Sequence, residues 1–376
     1  MNATFNNSKL NISSFNLEFW LSKVRAPWEL EAIYLFVITP VAIVGVLLNT
    51  FSFVVLCQKE FHSTKIYRYF RCITFNSAVI NLVESGLFAC SAYRYLDFAN
   101  TFEANTFGVY AYLPISNCCY LFGSCLDLLV SLERCSIFVN KLKRLFTYPV
   151  KYVCLICLAF CILLTTPYFY TNKPSFLDAP MSPTSFYRIW YWGITPFGNT
   201  LTGKILAGLS YFVRDLCFLI AEVTVNLISI HLFKKHYENK LVLLNLKKGE
   251  TTAPDNTAAQ KVDSTNLEPS TSGGNVEIEK VEKKNSTIPL NKRITIMERN
   301  ITLMIIVLCF FSILIHLFYL TTTVYYYFSY GLVLSLLGVS TVLTTTLKNV
   351  SNFFLLFIFN GNFRKCVRKI FSMKNE

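Results

Sequence analysis

Long apolar segments separated by shorter polar ones run along most of the chain. An α-helix of about 20 mainly apolar residues is long enough to cross the hydrocarbon core of a bilayer. Seven segments reach that length, and they cover residues 31–57, 69–93, 108–138, 150–170, 205–233, 300–328 and 333–358. The pattern therefore predicts an all-α fold, a bundle of seven transmembrane helices.

A short amphipathic segment follows the seventh apolar run. Its apolar positions recur at helical spacing on one face, at Phe363, Val367, Ile370 and Phe371. The opposite face is basic and carries Arg364, Lys365, Arg368 and Lys369. A helix of this kind lies in the membrane interface with its apolar face buried. The sequence thus adds a short interfacial eighth helix to the bundle.

The composition also indicates a membrane protein. Hydrophobic residues make up 53% of the 376 residues and charged residues 15%, whereas soluble domains carry about 25% charged residues. The net charge of +13 comes largely from bases in the segments on one side of the spans. By the positive-inside rule this side is cytosolic, so the N-terminus lies outside. The bases do not form one soluble face, and we expect no nucleic-acid partner.

The segments outside the spans differ in composition. Residues 1–30 contain three glycosylation sequons, at Asn2, Asn6 and Asn11, on the side predicted to be extracellular. Spans one to five fill 31–234, and spans six and seven fill 300–358. Residues 235–299 form a cytoplasmic loop that we expect to be disordered, because its middle has almost no large apolar residues. The loop is a region of phosphorylation sites or a plain linker, and residues 359–376 are the interfacial helix and tail.

Most of the thirteen cysteines fall within the predicted spans, where cysteine behaves as a small buried hydrophobe. They therefore do not indicate an extracellular disulfide framework. Cys366 lies on the interfacial helix instead, which makes it a candidate for palmitoylation, with an inert cysteine as the alternative.

Polar and charged residues inside the spans recur in a specific order. Five motifs are found: Gly45-Val-Leu-Leu-Asn49; Asn76 with Asn81; Glu133-Arg134-Cys135; Glu298 followed by Thr302 and Met304; and Asn352 eleven residues before Phe363-Arg364. An asparagine or a charge inside hydrocarbon is costly and normally has a partner or a function. Together, over residues 31–372, these motifs resemble those of rhodopsin-like (class A) G-protein-coupled receptors.

The chain departs from the family pattern at several positions. Phe353, Leu356, His316 and Phe318 stand where the family has Pro, Tyr, Trp and Pro, respectively. Val109 replaces the cysteine that the family bridges to the second outer loop, and the predicted loop 171–204 has no cysteine. This profile resembles divergent invertebrate receptors for neuropeptides (FMRFamide-like) or chemosensory molecules.

The resemblance implies a plasma-membrane receptor that binds an extracellular ligand and activates a heterotrimeric G protein, with no cofactor. It implies that Arg134 pairs with Glu133 and Glu298 in the resting state. It also implies a polar switch network in the helix core, which we assign to Asn49, Asn81, Glu84, Asp127, His316, Lys348 and Asn352. For His316, a hydrogen-bonded structural role is the alternative to a switch.

Charges that the family pattern does not supply suggest a further arrangement. Relatives hold a sodium ion beside an acid of the second helix, but Asn81 stands at that position, and Gly123 replaces the usual serine of the third helix. Lys348, Glu84 and Asp127 fall at similar depths on their predicted helices. We predict that the Lys348 ammonium replaces the sodium ion and pairs with Glu84 or Asp127, because lone buried charges are costly.

A transporter or channel is the alternative function, and buried charges in the spans favour it: Glu84, Asp127, Arg214, Asp215, Glu222 and Lys348. However, the two halves of the chain show no internal repeat of the kind typical of transporters. An enzyme is not expected, because no cluster has metal-ligand spacing and no nucleophile motif occurs. The ligand is not predicted beyond an argument against amines, since the outer half of the third span has no acid.

Overall fold

The computed structural model describes residues 32–62, 64–91, 101–182, 185–250, 290–328 and 332–372. The glycosylation sequons at Asn2, Asn6 and Asn11 lie outside these residues, as does segment 251–289 of the predicted loop. For the far ends of several helices, including 87–91, 236–250, 290–299 and 325–328, only the backbone is described.

Most of the described chain is helical. Helix α1 consists of a π-helical turn, Tyr34–Ile38, and the α-helix Thr39–Leu56; α2 is Lys65–Ser91. Helix α3 consists of Phe102–Thr106, a π-helical stretch Phe107–Tyr112 and Leu113–Phe138; α4 is Val150–Thr165, extended by Tyr168–Thr171. Helix α5 consists of Leu201–Tyr211, a π-helical stretch Phe212–Cys217 and Phe218–Glu250. Helices α6, α7 and α8 are Leu290–Phe328, Leu332–Phe359 and Gly361–Ser372, and a short helix, Asn140–Leu145, joins α3 to α4.

Six helices among the described residues are long and apolar enough to cross a membrane. They are Tyr34–Leu56, Phe102–Phe138, Val150–Thr171, Leu201–Lys235, Thr302–Val324 and Leu337–Phe359. Helix α2 is not among them, and the side chains of its last residues, 87–91, lie outside the described part of the chain. The six helices identify the chain as a multi-pass membrane protein.

The described chain is largely helical, as predicted, but it also contains an antiparallel hairpin that the all-α prediction did not include. Strand β1, Asn172–Ser182, pairs with β2, Ser185–Ile194, with Asn172 opposite Ile194 and a register shift near Pro180. Strand β2 is rich in aromatic residues and isoleucine, which favour extended backbone. The sequence prediction left this segment as a loop between the fourth and fifth spans.

Helices α5 and α6 extend beyond the predicted boundaries of the cytoplasmic loop. Helix α5 continues to Glu250, and α6 begins at Leu290, whereas the predicted loop ran over 235–299. The added segment of α5 is rich in leucine and lysine, which have high helix propensity. Helical backbone therefore covers both ends of the segment that the sequence predicted to be disordered, although the candidate membrane spans end at Lys235 and begin at Thr302.

Close packing brings the first two helices together. A Cβ atom on Gly45 would lie 2.1 Å from Asn81 Nδ2, so a larger residue in α1 would have to displace the buried Asn81 side chain of α2. Helix α3 contacts α2, α4, α5 and α6, which places it at the centre of the bundle. Side chains on α3 are therefore positioned to connect the other helices.

Helix α8 docks at the end of the bundle opposite the hairpin. Asn360 caps it, because its Oδ1 accepts hydrogen bonds from the backbone N–H groups of Asn362 (3.1 Å) and Phe363 (3.2 Å). The Phe363 side chain is fully buried, in contact with the rings of Phe61 and Phe353. We call this end of the bundle the tail end and the other the hairpin end.

The candidate palmitoylation site lies on the packed face of α8. Cys366 is 6% exposed and belongs to the main core cluster. Burial raises the pKa of its thiol, which disfavours the reactive thiolate. Acylation would require α8 to expose this face, and palmitoylation of Cys366 stays a prediction.

Candidate functional site

A cavity of about 600 Å³ opens among α3, α4, α5, α6 and α7 at the hairpin end. Tyrosines form much of its wall, with Tyr112 and Tyr120 from α3, Tyr211 from α5 and Tyr319 from α6. This volume lies within the range of about 300–1,000 Å³ that is typical of small-molecule sites. We call it the outer cavity.

The outer cavity includes residues from the outer half of the third span, the region that has no acid. Tyr112, Ser116, Asn117 and Tyr319 line it. Tyr110 is not among its lining residues and is 41% exposed.

An ion pair closes the floor of the outer cavity. Arg214 Nε donates to Asp215 Oδ1 at 2.6 Å and Nη2 donates to Asp215 Oδ2 at 3.0 Å. Arg214 Nη1 also donates to Asn117 Oδ1 at 2.5 Å. The guanidinium carbon lies 4.3 Å from the ring centroid of Tyr319 and 5.0 Å from that of Tyr211. These contacts hold the charge between α3, α5 and α6.

A smaller cavity of about 40 Å³ lies deeper, toward the tail end. Arg214, Tyr120 and Tyr319 line both cavities and therefore separate them. Asp127 and Lys348 are among the polar residues of the inner wall. A space of this size and polarity is large enough to hold water. We call it the inner cavity.

Lys348 and Asp127 form a direct ion pair between α7 and α3. Lys348 Nζ lies 2.5 Å from Asp127 Oδ2, with 14% and 5% of the two side chains exposed. Ser312 Oγ donates to the same carboxylate oxygen at 3.4 Å, which connects α6 to the pair. The predicted pairing of Lys348 with an acid is confirmed, and Asp127 is the partner.

Glu84, the other predicted partner, makes different contacts. Its carboxylate accepts hydrogen bonds from the Tyr120 hydroxyl and from Thr346 Oγ1, the latter at 3.2 Å. The side chain is fully buried between α2, α3 and α7. Glu84 therefore links these helices through neutral donors, separately from the ion pair of Lys348.

His316 links α6 to two other helices. Its Nε2 lies 3.1 Å from Ser124 Oγ of α3 and 3.7 Å from Glu222 Oε1 of α5. Neither carboxylate oxygen of Glu222 has a hydrogen-bond partner among the described residues. The side chain of Glu222 is 1% exposed, so its carboxylate is buried with few polar partners. Its contact with His316 is therefore sensitive to movement of α5 or α6.

The asparagines of the predicted switch network do connect the helices. Asn49 Nδ2 donates to the carbonyl of Asn349 at 2.8 Å, which joins α1 to α7. Asn349 Nδ2 donates to Asn81 Oδ1 at 3.4 Å, and Asn352 Nδ2 donates to Ser77 Oγ at 3.0 Å, which joins α7 to α2. All are buried, so each bond replaces water lost on folding.

The structure does not test the predicted lock at the tail end. Glu133 and Arg134 are half-buried at the end of α3. The backbone of Glu298 lies in α6, but its side chain lies outside the described part of the chain. The pairing of Arg134 with Glu298 remains a prediction.

Helix α6 is α-helical without interruption through Phe318, where the family has proline. Phe318 keeps its backbone donor, and its carbonyl accepts a hydrogen bond from Thr322 Oγ1 at 2.8 Å. The segment therefore has no proline to interrupt its backbone hydrogen bonds.

Sequence reasoning did not assign Arg214, Asp215 and Glu222 to the site. It identified them only as buried charges that favour a transporter. Their positions inside an apolar span were the available signal, because ionisable residues there are by default functional candidates. In three dimensions Arg214 lines both cavities and pairs with its sequence neighbour Asp215. Glu222 lies apart from this pair, next to His316.

We expect sodium to leave the stability of the protein unchanged, because the Lys348 ammonium already neutralises Asp127. An ion that binds the folded state raises its melting temperature by mass action. The measurement compares melting temperatures of the purified protein in sodium chloride and in choline chloride at equal ionic strength. A sodium-specific increase would contradict the proposed replacement of the ion by Lys348.

No protein-family model matches the chain, and the search of curated proteins found no match. The functional interpretation therefore rests on the motifs and on the geometry of the two cavities.

Proposed function

We propose that the chain is a rhodopsin-like G-protein-coupled receptor of the plasma membrane. In this proposal α2 also crosses the membrane, which brings the number of spans to seven. The hairpin end faces outward, and α8 lies in the cytosolic interface. The ligand, a neuropeptide or a chemosensory molecule, binds in the outer cavity, and a heterotrimeric G protein binds at the tail end.

The observation that carries this proposal is the ionic wall between the two cavities. Arg214, Tyr120 and Tyr319 line both cavities. A ligand that contacts these side chains from the outer cavity also changes the surroundings of His316 and Lys348 in the inner cavity. The wall is thus a physical route from a ligand site to the contacts that join the helices.

The mechanism that we propose is a shift between two helix packings. In the resting packing, Asp127 holds α3 to α7 through Lys348 and to α6 through Ser312. His316 holds α6 near α3 and α5 through contacts with Ser124 and Glu222. A ligand favours the active packing only if it binds that packing more tightly. Rearrangement of these contacts would move the tail end of α6 and open the G-protein site.

We expect Glu298→Gln to raise ligand-independent signalling. In the proposed resting state, Glu298 pairs with Arg134 across α3 and α6, and loss of the charge removes that attraction. A coupling of about 1–3 kcal/mol corresponds to roughly 5–150-fold in the equilibrium between packings. The measurement is basal second-messenger production in cells, normalised to the amount of protein at the surface.

Arg134→Ala is the matched variant, and it should abolish coupling in the wild-type and Glu298→Gln backgrounds while leaving the protein folded. Unchanged or lower basal signalling of Glu298→Gln at equal surface expression would contradict the lock. Signalling that survives Arg134→Ala would contradict the role of Arg134.

A further inference from the structure

The outer cavity has an unbalanced set of charged side chains. Its described lining contains two bases, Lys204 and Arg214, and no aspartate or glutamate. A cationic ligand would therefore meet like charge without a carboxylate among these lining residues. Charge complementarity favours an anion.

The two bases are not equivalent. Arg214 is 4% exposed, and its guanidinium already donates to Asp215 and Asn117. The exposed side chain of Lys204 has no hydrogen bond or ion pair among the described residues. Lys204 is therefore the cation available to a ligand, whereas the Arg214–Asp215 pair forms a floor with no net charge.

The two bases also lie at different depths on one face of α5. Lys204, Ala207, Tyr211 and Arg214 follow helical spacing, and all four line the cavity. Ten residues separate Lys204 from Arg214, which corresponds to roughly 15 Å along a helix axis. Tyr211 lies between Lys204 and Arg214 along α5, and Tyr112 of α3 lines the same cavity.

We propose that the outer cavity binds an amphipathic organic acid, whose carboxylate pairs with Lys204 and whose aromatic or apolar body extends toward the tyrosines around Arg214. The inference rests on the proposed function, because it assigns a ligand class to the receptor site. The large apolar contact supplies affinity, and the single cation at the mouth fixes the orientation and the charge preference.

The test uses three probes that share a biphenylbutyl skeleton: 4-(4-biphenylyl)butanoate, its primary amide and the matched primary amine. Dissociation constants are measured by ligand-observed NMR titration of the full-length protein in lipid nanodiscs, with empty nanodiscs as the reference. We expect the acid to bind about tenfold more tightly than the amide, as for one charge-assisted contact, and the amine to bind least.

Two variants of Lys204 and one control test the residue itself. Lys204→Gln should bring the affinities of the acid and the amide together, and Lys204→Glu should make the amine the preferred probe. Lys173→Glu makes the same charge change on an exposed lysine of β1 that does not line the cavity. It should retain the wild-type order of the probes. Melting temperatures establish that each variant is folded.

The proposal is overturned if the wild type binds the amine as tightly as the acid, if it binds none of the three probes, or if the preference for the acid survives in both Lys204 variants. A different result is expected if the ligand class is right but the protein is not a G-protein-coupled receptor. In that case the order of binding and its dependence on Lys204 persist, but the protein activates no G protein.

Discussion

Lys348→Met should strongly destabilise the protein. Methionine has a similar length but no charge, so Asp127 would remain as a buried carboxylate without its cation. Removal of one partner from a buried ion pair typically costs about 3–5 kcal/mol. We expect a large fall in the melting temperature of the purified protein and in the amount of protein at the cell surface.

The double variant Lys348→Met/Asp127→Asn separates loss of the pair from loss of one charge. It should recover most of the stability, because no unpaired charge remains. Lys365→Met is the control, since it removes an exposed lysine of α8 and should leave the melting temperature unchanged. If the single and double variants are equally unstable, Lys348 does not stabilise the protein by neutralising the charge of Asp127.

Arg214→Leu should have the second large effect, on both stability and binding. It leaves Asp215 buried without its bidentate partner and removes the cation between the rings of Tyr211 and Tyr319. We expect a loss of stability of about 3–5 kcal/mol, measured as a fall in melting temperature.

Arg214→Leu/Asp215→Leu distinguishes the two consequences. Replacement of a buried ion pair by apolar residues of similar volume is often neutral or stabilising, so the double variant should fold. It should nevertheless bind the biphenylbutyl probes with altered affinity, because Arg214 and its stacked tyrosines form the floor of the outer cavity. Probe affinities equal to those of the wild type would exclude this floor from the binding site.

The pairing of Lys348 was predictable because it depends on helical spacing and on one energetic rule. Lys348 lies one turn from Asn352, and a charge inside an apolar span requires a partner. Spacing places a residue on a helix face but does not fix how neighbouring helices are rotated or shifted. The sequence therefore offered two acids, and the packed structure was needed to select Asp127 over Glu84.

The wall between the cavities was not predictable in the same way. Its contacts join α3, α5 and α6, and the relevant α5 segment, Phe212–Cys217, is π-helical. A π-helical turn changes the angular positions of the residues that follow, and a pattern based on 3.6 residues per turn does not include this change. The sequence identified Arg214 and Asp215 as costly charges but did not give their partners.

The hairpin and the long ends of α5 and α6 were missed for a different reason. The sequence prediction was built on apolar runs long enough to cross a membrane, and structure outside those runs has no such signal. Strand pairing of β1 with β2 and continuation of α5 to Glu250 depend on local propensity instead.

Nucleotide exchange on purified G proteins tests the central claim most directly. The full-length protein and its Glu298→Gln variant are reconstituted in lipid nanodiscs with each class of heterotrimeric G protein, and GTP-analogue binding is measured with time. The account predicts that the Glu298→Gln variant accelerates nucleotide exchange on at least one class of G protein. The rate should exceed the rates measured with empty nanodiscs and with the Glu298→Gln/Arg134→Ala variant. The account is contradicted if the folded Glu298→Gln variant accelerates exchange on no class of G protein, either alone or with an organic acid bound in the outer cavity.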